Sequence, residues 1–254
     1  MQGNAVIDNL GIKTADLERL RLGETIILTG AGISADSGMP TFRGKNGLWE
    51  KHRPEELANP SAFLKNPELV WAWYSWRLEK LFSVEPSPAH YALAKLESLK
   101  LLKLLITQNV DDLHERAGSK RILKLHGSIV MSQCISCGRK GQITEPPRKV
   151  PLCACSGMLR PAVVWFGESL NPRILKDAFQ QASNCDCMLV IGTSGIVYPA
   201  AALPQIAKQN GALILEFNIS STALTPLADF HFSGSASSTV PRFFNTLIND
   251  LVHS

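Results

Sequence analysis

The sequence predicts an α/β fold: a doubly wound, parallel sheet carrying a smaller inserted module. Short β-branched, apolar runs of strand length alternate with amphipathic helical stretches, and parallel strands need a crossover element between them. Two stretches break that alternation, one rich in tryptophan and one holding four closely spaced cysteines. At 254 residues and 45% hydrophobic composition, the chain is long enough for one sizeable core plus an insertion.

The elements follow in chain order. The opening MQGNAVIDNLGIKTADLERL has no basic segment followed by an apolar one, and its Asp and Glu argue against an export or transit leader. TIILTGAGIS (25–34) reads as a buried strand that breaks into a glycine-rich turn. Residues 44–85 begin polar and become helical around WAWYSWR (71–77), with no strand pattern. PAHYALAKLESLK (88–100) repeats apolar residues at three and four after a Ser-Pro start, the mark of a helix. LKLLITQN (102–109) and RILKLHG (121–127) are further strands, and residues 131–158 hold the cysteine pairs and the turn-rich EPPRKVP. MLRPAVVWFGE (158–168), DCMLVIGTS (186–194) and GALILEFN (211–218) resume the strands, with a helix over YPAAALPQIAKQNG (198–211) that ends on glycine. The large domain is therefore expected over 1–43, 86–130 and 159–254. A helical module (44–85) and a cysteine module (131–158) are expected to form the small one.

Composition excludes several classes of partner. The net charge of +4 is mild and no block of Lys or Arg concentrates it, so nucleic acid is not expected. The longest apolar runs, such as LILEF and CMLVIG, are of strand length, so no membrane span is expected. Close cysteine pairs suit a metal better than a disulfide framework, which points to a reducing, cytoplasmic setting.

Three kinds of constellation carry chemistry. Gly30-Ala31-Gly32 after a strand can cradle a phosphate, with the next helix aiming its positive end there; tight glycine turns without ligands are also common. Cys134 and Cys137, then Cys153 and Cys155, offer four thiolates at near zinc-ribbon spacing. Four protein ligands would leave Zn²⁺ no open position, making the metal structural; the alternative is four reduced structural thiols. QNVDDLH (108–114), LHGS (125–128) and GTSG (192–195) end strands, and in an open α/β sheet those ends converge on one crevice. His126 there could act as a general base, or could be a satisfied core histidine.

GAGISADSGMPTFRG, TQNVDDLHERAG, LHGS, the paired cysteines, RPAVVWFGE, GTSGIVYPAA, EFN and GSA occur in one order over roughly residues 20–240. Together they resemble the sirtuins, NAD-dependent protein lysine deacylases. The resemblance implies a Rossmann-type large domain, a zinc-binding and helical small domain, and NAD and an acyl-lysine protein substrate between them. It implies that Gly30, Ala31, Gly32, Phe42 and Arg43 hold the NAD phosphates and shape the nicotinamide pocket. Gln108, Asn109, Val110 and Asp111 would position the ribose and nicotinamide, and Gly192, Thr193, Ser194, Asn218 and Ala236 would line the adenosine half. His126 would be the base, with Asn109 and Asp111 as its catalytic partners, and Phe166, Gly167 and Glu168 would pair with the substrate backbone. NAD would be consumed, giving nicotinamide and O-acyl-ADP-ribose. Two positions depart from the family pattern: the second cysteine pair is C-x-C rather than C-x-x-C, and Ala162 stands where an acidic residue is common.

One branch of the sirtuins carries Tyr-x-x-Arg on the helix lining the acyl pocket and prefers succinyl or malonyl groups. Tyr74 and Arg77 match it, and Ala58 matches a small residue that makes room for the longer acyl chain. Residues three apart share a helix face, so phenol and guanidinium could grip one carboxylate. Alternatively Tyr74 packs and Arg77 stacks on Trp73 or reaches solvent, which would leave a general deacetylase. A non-enzymatic zinc-ribbon adaptor and a mono-ADP-ribosyltransferase are the competing readings from other classes.

Overall fold

The computed structural model describes residues 13–42, 47–48 and 54–252. Its strands, in chain order, are β1 (Thr25–Thr29), β2 (Leu104–Thr107), β3 (Ile122–Lys124), β4 (Gly127–Cys134), β5 (Lys140–Gln142), β6 (Leu159–Val163), β7 (Cys187–Ile191), β8 (Leu213–Asn218) and β9 (Phe230–Ser233). Six of them form one parallel sheet in the order β3-β2-β1-β7-β8-β9. The order reverses between β1 and β7, which creates a crevice at their carboxyl ends.

Both central strands are buried throughout, as their uninterrupted apolar runs require. Side chains alternate between two cores. Ile27, Leu105, Leu189 and Leu215 pack under the helices Pro88–Ser98 and Ala236–Val252, while Ile26, Leu28, Ile106 and Val190 pack under Pro172–Asn184 and Leu203–Gln209. Among the described residues, no helix is long and apolar enough to cross a membrane.

The two insertions join into one body with its own core. Helix Pro67–Phe82 starts where Asn66 caps the amide of Leu69 and Pro67 needs no donor. The Trp71 indole donates to Leu159 O at 2.8 Å and the Ser75 hydroxyl to Pro147 O at 2.6 Å, which ties this helix to the cysteine module. Strands β5, β4 and β6 form that module's antiparallel sheet.

Two sequence expectations are corrected here, and one strand is added. MLRPAVVWFGE does supply a strand, but β6 pairs with β4 in the three-stranded antiparallel sheet rather than in the parallel one. The two strands come close at Gly127, whose φ of +79° and approach to Ala162 O leave no room for a Cβ. Strand β9 is an edge strand, too short and too exposed for an apolar run to mark it. YPAAALPQIAKQNG begins with a 3₁₀ turn over Ala200–Ala202, and its α-helix covers only Leu203–Gln209.

Candidate active site

A cavity of about 600 Å³ opens at the β1/β7 switch point and runs between the large and small domains. Gly30, Ala31 and Gly32 line it from the turn after β1, and Gly192, Thr193 and Ser194 from the turn after β7. The two turns are packed against each other. A Cβ on Gly32 would lie 2.7 Å from Gly192 Cα, and Gly192 itself has φ +62°. The amides of Gly30 and Gly32 are donated to Ile191 O and Gly192 O, so these glycines serve close approach rather than offering those two amides to a phosphate. The helix after the turn is a single turn, Gly32–Ala35, too short for the dipole contribution expected from the sequence.

Side chains at the ends of β2 and β8 brace the walls. Gln108 Nε2 donates to Thr193 Oγ1 at 2.9 Å and Asn218 Nδ2 to Thr193 O at 2.9 Å. Asn109 Nδ2 donates to Gly30 O and to Ser34 Oγ. Gln108, Asn109, Val110, Asn218 and Ala236 all line the cavity. Asp111 stands behind that wall: its buried carboxylate accepts from Ser34 Oγ at 3.0 Å and from the Leu113 amide. Burial raises its pKa, against the opposing pull of the Leu113 amide, Lys124 and Ser34. Asp111 therefore holds Ser34 rather than facing the cavity.

His126 lines the cavity between the two domains. Its Nδ1 lies 2.9 Å from Gln108 O, and a carbonyl accepts only, so Nδ1 carries the proton and Nε2 keeps its lone pair. Burial lowers its pKa and the Gln108 hydrogen bond partly offsets this, which keeps the ring neutral near neutral pH. A neutral, tautomerically fixed imidazole facing a cavity is a competent general base.

The small-domain wall holds Phe42, Ala58, Tyr74 and Arg77. Arg77 is 5% exposed, with its guanidinium carbon 4.8 Å from the Phe42 ring centre, 4.9 Å from that of Trp73 and 5.7 Å from that of Tyr74. Its Nε meets no hydrogen-bond acceptor among the described residues. Burial pulls its pKa down and Tyr74 and Asp111 pull it partly back, yet a guanidinium stays charged at any physiological pH. Burial raises the Tyr74 pKa, so its phenol stays protonated. Phe166, Gly167 and Glu168 line the cavity too, but the Phe166 amide is donated to Ala58 O and the Glu168 amide to Trp165 O. The Glu168 carboxylate turns inward to Arg160 and to the Trp165 amide. Arg43 lies outside the described residues.

The four cysteines converge at the far end of the small sheet, with all four sulfurs within 4.8 Å of one another. Cys134 and Cys155 sulfurs are 3.5 Å apart and Cys137 and Cys153 sulfurs 3.7 Å, against about 3.8 Å for thiolates placed tetrahedrally on zinc. The C-x-C pair sits in a turn closed by the Ser156 amide donating to Cys153 O at 2.8 Å. The donor set fits a structural zinc.

Sequence reasoning missed three contributors. Ser34 follows the glycine turn in GAGIS, where a hydroxyl so close to the crevice is a usable signal. His90 packs beneath it, its Nδ1 accepting from the Ser87 amide in a helix-capping arrangement. Trp165, adjacent to Phe166, donates its indole N–H to Tyr74 Oη at 2.8 Å. No local pattern announces a pairing across 91 residues.

A Rossmann-ordered sheet, a crevice at its switch point with a buried neutral histidine, and a four-thiolate module define a nucleotide-using enzyme of two domains. The Sir2 family model matches residues 30–199. The chain belongs to that family. It is 54% identical over 214 residues to "NAD-dependent protein deacylase 1" of Archaeoglobus fulgidus, covering 83% of this chain and 87% of the relative. Among solved structures, it superposes on a Sir2 homologue mutant in complex with ADP ribose with a TM-score of 0.92, at 47% identity over 96% of this chain and 99% of the other. It superposes on a Sir2 homologue–NAD complex with a TM-score of 0.89, at 48% identity over 94% of this chain and 95% of the other.

Proposed function

We propose that this protein is an NAD-dependent protein-lysine deacylase that prefers acidic acyl groups, succinyl and malonyl, while also accepting acetyl. The observation that supports the preference is Arg77: a buried guanidinium on the cavity wall, ringed by aromatic side chains, with Nε unpartnered among the described residues. Burying such a group is costly unless an anion meets it. A carboxylate at the end of an acyl chain restores a charge-assisted pairing, and the Tyr74 hydroxyl can donate to the same group. Ala58 on the same wall leaves space for the chain.

In this reading NAD spans the crevice, with its adenosine toward Thr193, Ser194, Asn218 and Ala236 and its phosphates at the Gly30–Gly32 turn. Bound there, NAD supplies an electrophilic anomeric carbon on its nicotinamide ribose. Gln108, Asn109 and Val110 hold the ribose and nicotinamide end, with Asn109 kept in place by Ser34 and, through it, by Asp111. His126 Nε2 takes the proton from a ribose hydroxyl. The acyl-lysine enters beside Phe166 and Gly167, between the two domains. One water is consumed as the acyl group passes to the ribose, and the products are free lysine, nicotinamide and O-acyl-ADP-ribose. Cys134, Cys137, Cys153 and Cys155 would hold Zn²⁺ away from this chemistry, keeping the small domain folded.

One observation favours a general deacetylase instead. The aromatic rings around Arg77 offer cation–π contacts that offset part of its desolvation without any ligand. Nicotinamide release from one peptide carrying acetyl-, malonyl- or succinyl-lysine decides between the two. Higher kcat/KM for the acidic acyl groups is expected; higher kcat/KM for acetyl would overturn the preference, and ADP-ribose accumulating on protein would indicate transferase chemistry.

A further inference from the structure

We infer that Trp165 is a positioning residue for acyl specificity: its indole N–H fixes the direction of the Tyr74 hydroxyl, so that the acyl pocket presents only hydrogen-bond donors. This rests on the acidic-acyl reading and deepens it. A phenol offers in its ring plane one hydrogen and one well-directed lone pair. Trp165 Nε1–H, a donor only, occupies that lone pair at 2.8 Å. No described residue accepts the Tyr74 proton, so the hydroxyl has its donor left for whatever enters the cavity. Arg77 beside it can only donate.

The indole is not free to yield. Trp165 is 3% exposed, the Arg160 guanidinium stacks 3.5 Å from its ring centre, and Phe63 lies against it at 5.4 Å. Its amide donates to the Glu168 carboxylate at 2.8 Å, and that carboxylate is gripped by both terminal nitrogens of Arg160. The Glu168 carboxylate thereby anchors the tryptophan. Tyr74 in turn is buried at 2% exposure, so a misdirected hydroxyl could not be rescued by water.

The chemical consequence is discrimination by end group. A carboxylate accepts at every position and satisfies both Tyr74 and Arg77. A carboxamide of the same shape turns an NH₂ toward two donors, which leaves buried groups mispaired. Succinyl-lysine should therefore be preferred over its succinamoyl isostere by more than charge at Arg77 alone explains.

The test uses peptides bearing succinyl-, succinamoyl- and acetyl-lysine with wild type, Trp165→Phe, Tyr74→Phe, the double variant and Arg77→Met. In Trp165→Phe the hydroxyl is released to accept, and the succinyl-to-succinamoyl ratio of kcat/KM should fall roughly tenfold, the size of one buried neutral hydrogen bond losing its direction. In the Tyr74→Phe background the same change should leave that ratio unaltered. A ratio unmoved by Trp165→Phe, or one that falls equally with Tyr74 absent, overturns the assignment. Arg77→Met separates this from the reading beneath it: a succinyl-to-acetyl ratio unchanged there removes the acidic-acyl preference itself, whatever Trp165 does. A second measurement needs no change at Trp165. One of the five tryptophan indole ¹H–¹⁵N resonances should move upfield in Tyr74→Phe, and a spectrum in which none responds refutes the hydrogen bond.

Discussion

Replacing Arg77 by Met removes the guanidinium while keeping an unbranched apolar side chain of similar reach. Arg77 is 5% exposed and Tyr74 beside it 2%, so a carboxylate that reaches them has left water behind. Deleting the partner of a buried, hydrogen-bonded charge costs ~2–5 kcal/mol, because the remaining charge stays desolvated and unpaired. Expressed in the transition state, that is a fall of roughly 30- to 5,000-fold in kcat/KM for succinyl- and malonyl-lysine. Acetyl presents no carboxylate, so the succinyl-to-acetyl ratio should fall by nearly that whole factor. The same substitution also relieves a buried cation, so the variant should be at least as resistant to urea as wild type. The assay is kcat/KM by nicotinamide release on one peptide with each acyl group, alongside urea unfolding of both proteins. Equal losses on all acyl groups together with marked destabilisation would refute the reasoning, since they would make the aromatic cage of Phe42, Trp73 and Tyr74 the reason Arg77 is there.

His126→Ala should lower turnover by about 10²–10⁴-fold while NAD binding, followed by tryptophan fluorescence, largely survives; near wild-type turnover would remove the base assignment. Because burial lowers the His126 pKa, kcat/KM should hold on acidification through the ordinary imidazole range near 6.5 and decline only below it. Elemental analysis should find one zinc per chain, and chelation or Cys155→Ser should unfold the small domain and lose activity with it; active, folded protein without zinc would refute the metal site. His90 is buried and held down to about 4 by burial, so below pH 6.5 the unfolded chain takes up its proton first. The contribution of His90 should be constant above that pH and fall by up to ~3 kcal/mol on the way to pH 4, with His114 acting in the same direction and the raised Asp111 and Asp112 carboxyls opposing it. His90→Gln should flatten the urea-derived profile by about one proton, and an unchanged profile would place the acid sensitivity elsewhere.

The sequence by itself determined what depends on local pattern. Strands β1, β7 and β8 are buried along nearly their whole length, and a predominantly apolar run suits such a site. Gly30, Gly32 and Gly192 are legible because a side chain there would collide with the facing turn. The four cysteines are legible because their spacing has few other uses. Tertiary structure decided everything that rests on which distant groups meet. β6 reads as one more strand of the parallel sheet, yet it pairs antiparallel with β4, a partner choice that apolar content does not encode. Asp111 stands in a polar cluster ending β2, but the closure of the β1 turn over Ser34 puts it behind the wall. Glu168 belongs to the segment expected beside the substrate, and only the fold shows that its carboxylate is held by Arg160 and the Trp165 amide. Tyr74 and Arg77 announce a shared helix face from three-residue spacing alone, whereas the direction of the Tyr74 hydroxyl waits for Trp165, 91 residues away, to be delivered by the fold. Periodicity fixes which face of an element is buried; a hydrogen bond between elements exists only once packing has set their separation to within a few tenths of an ångström.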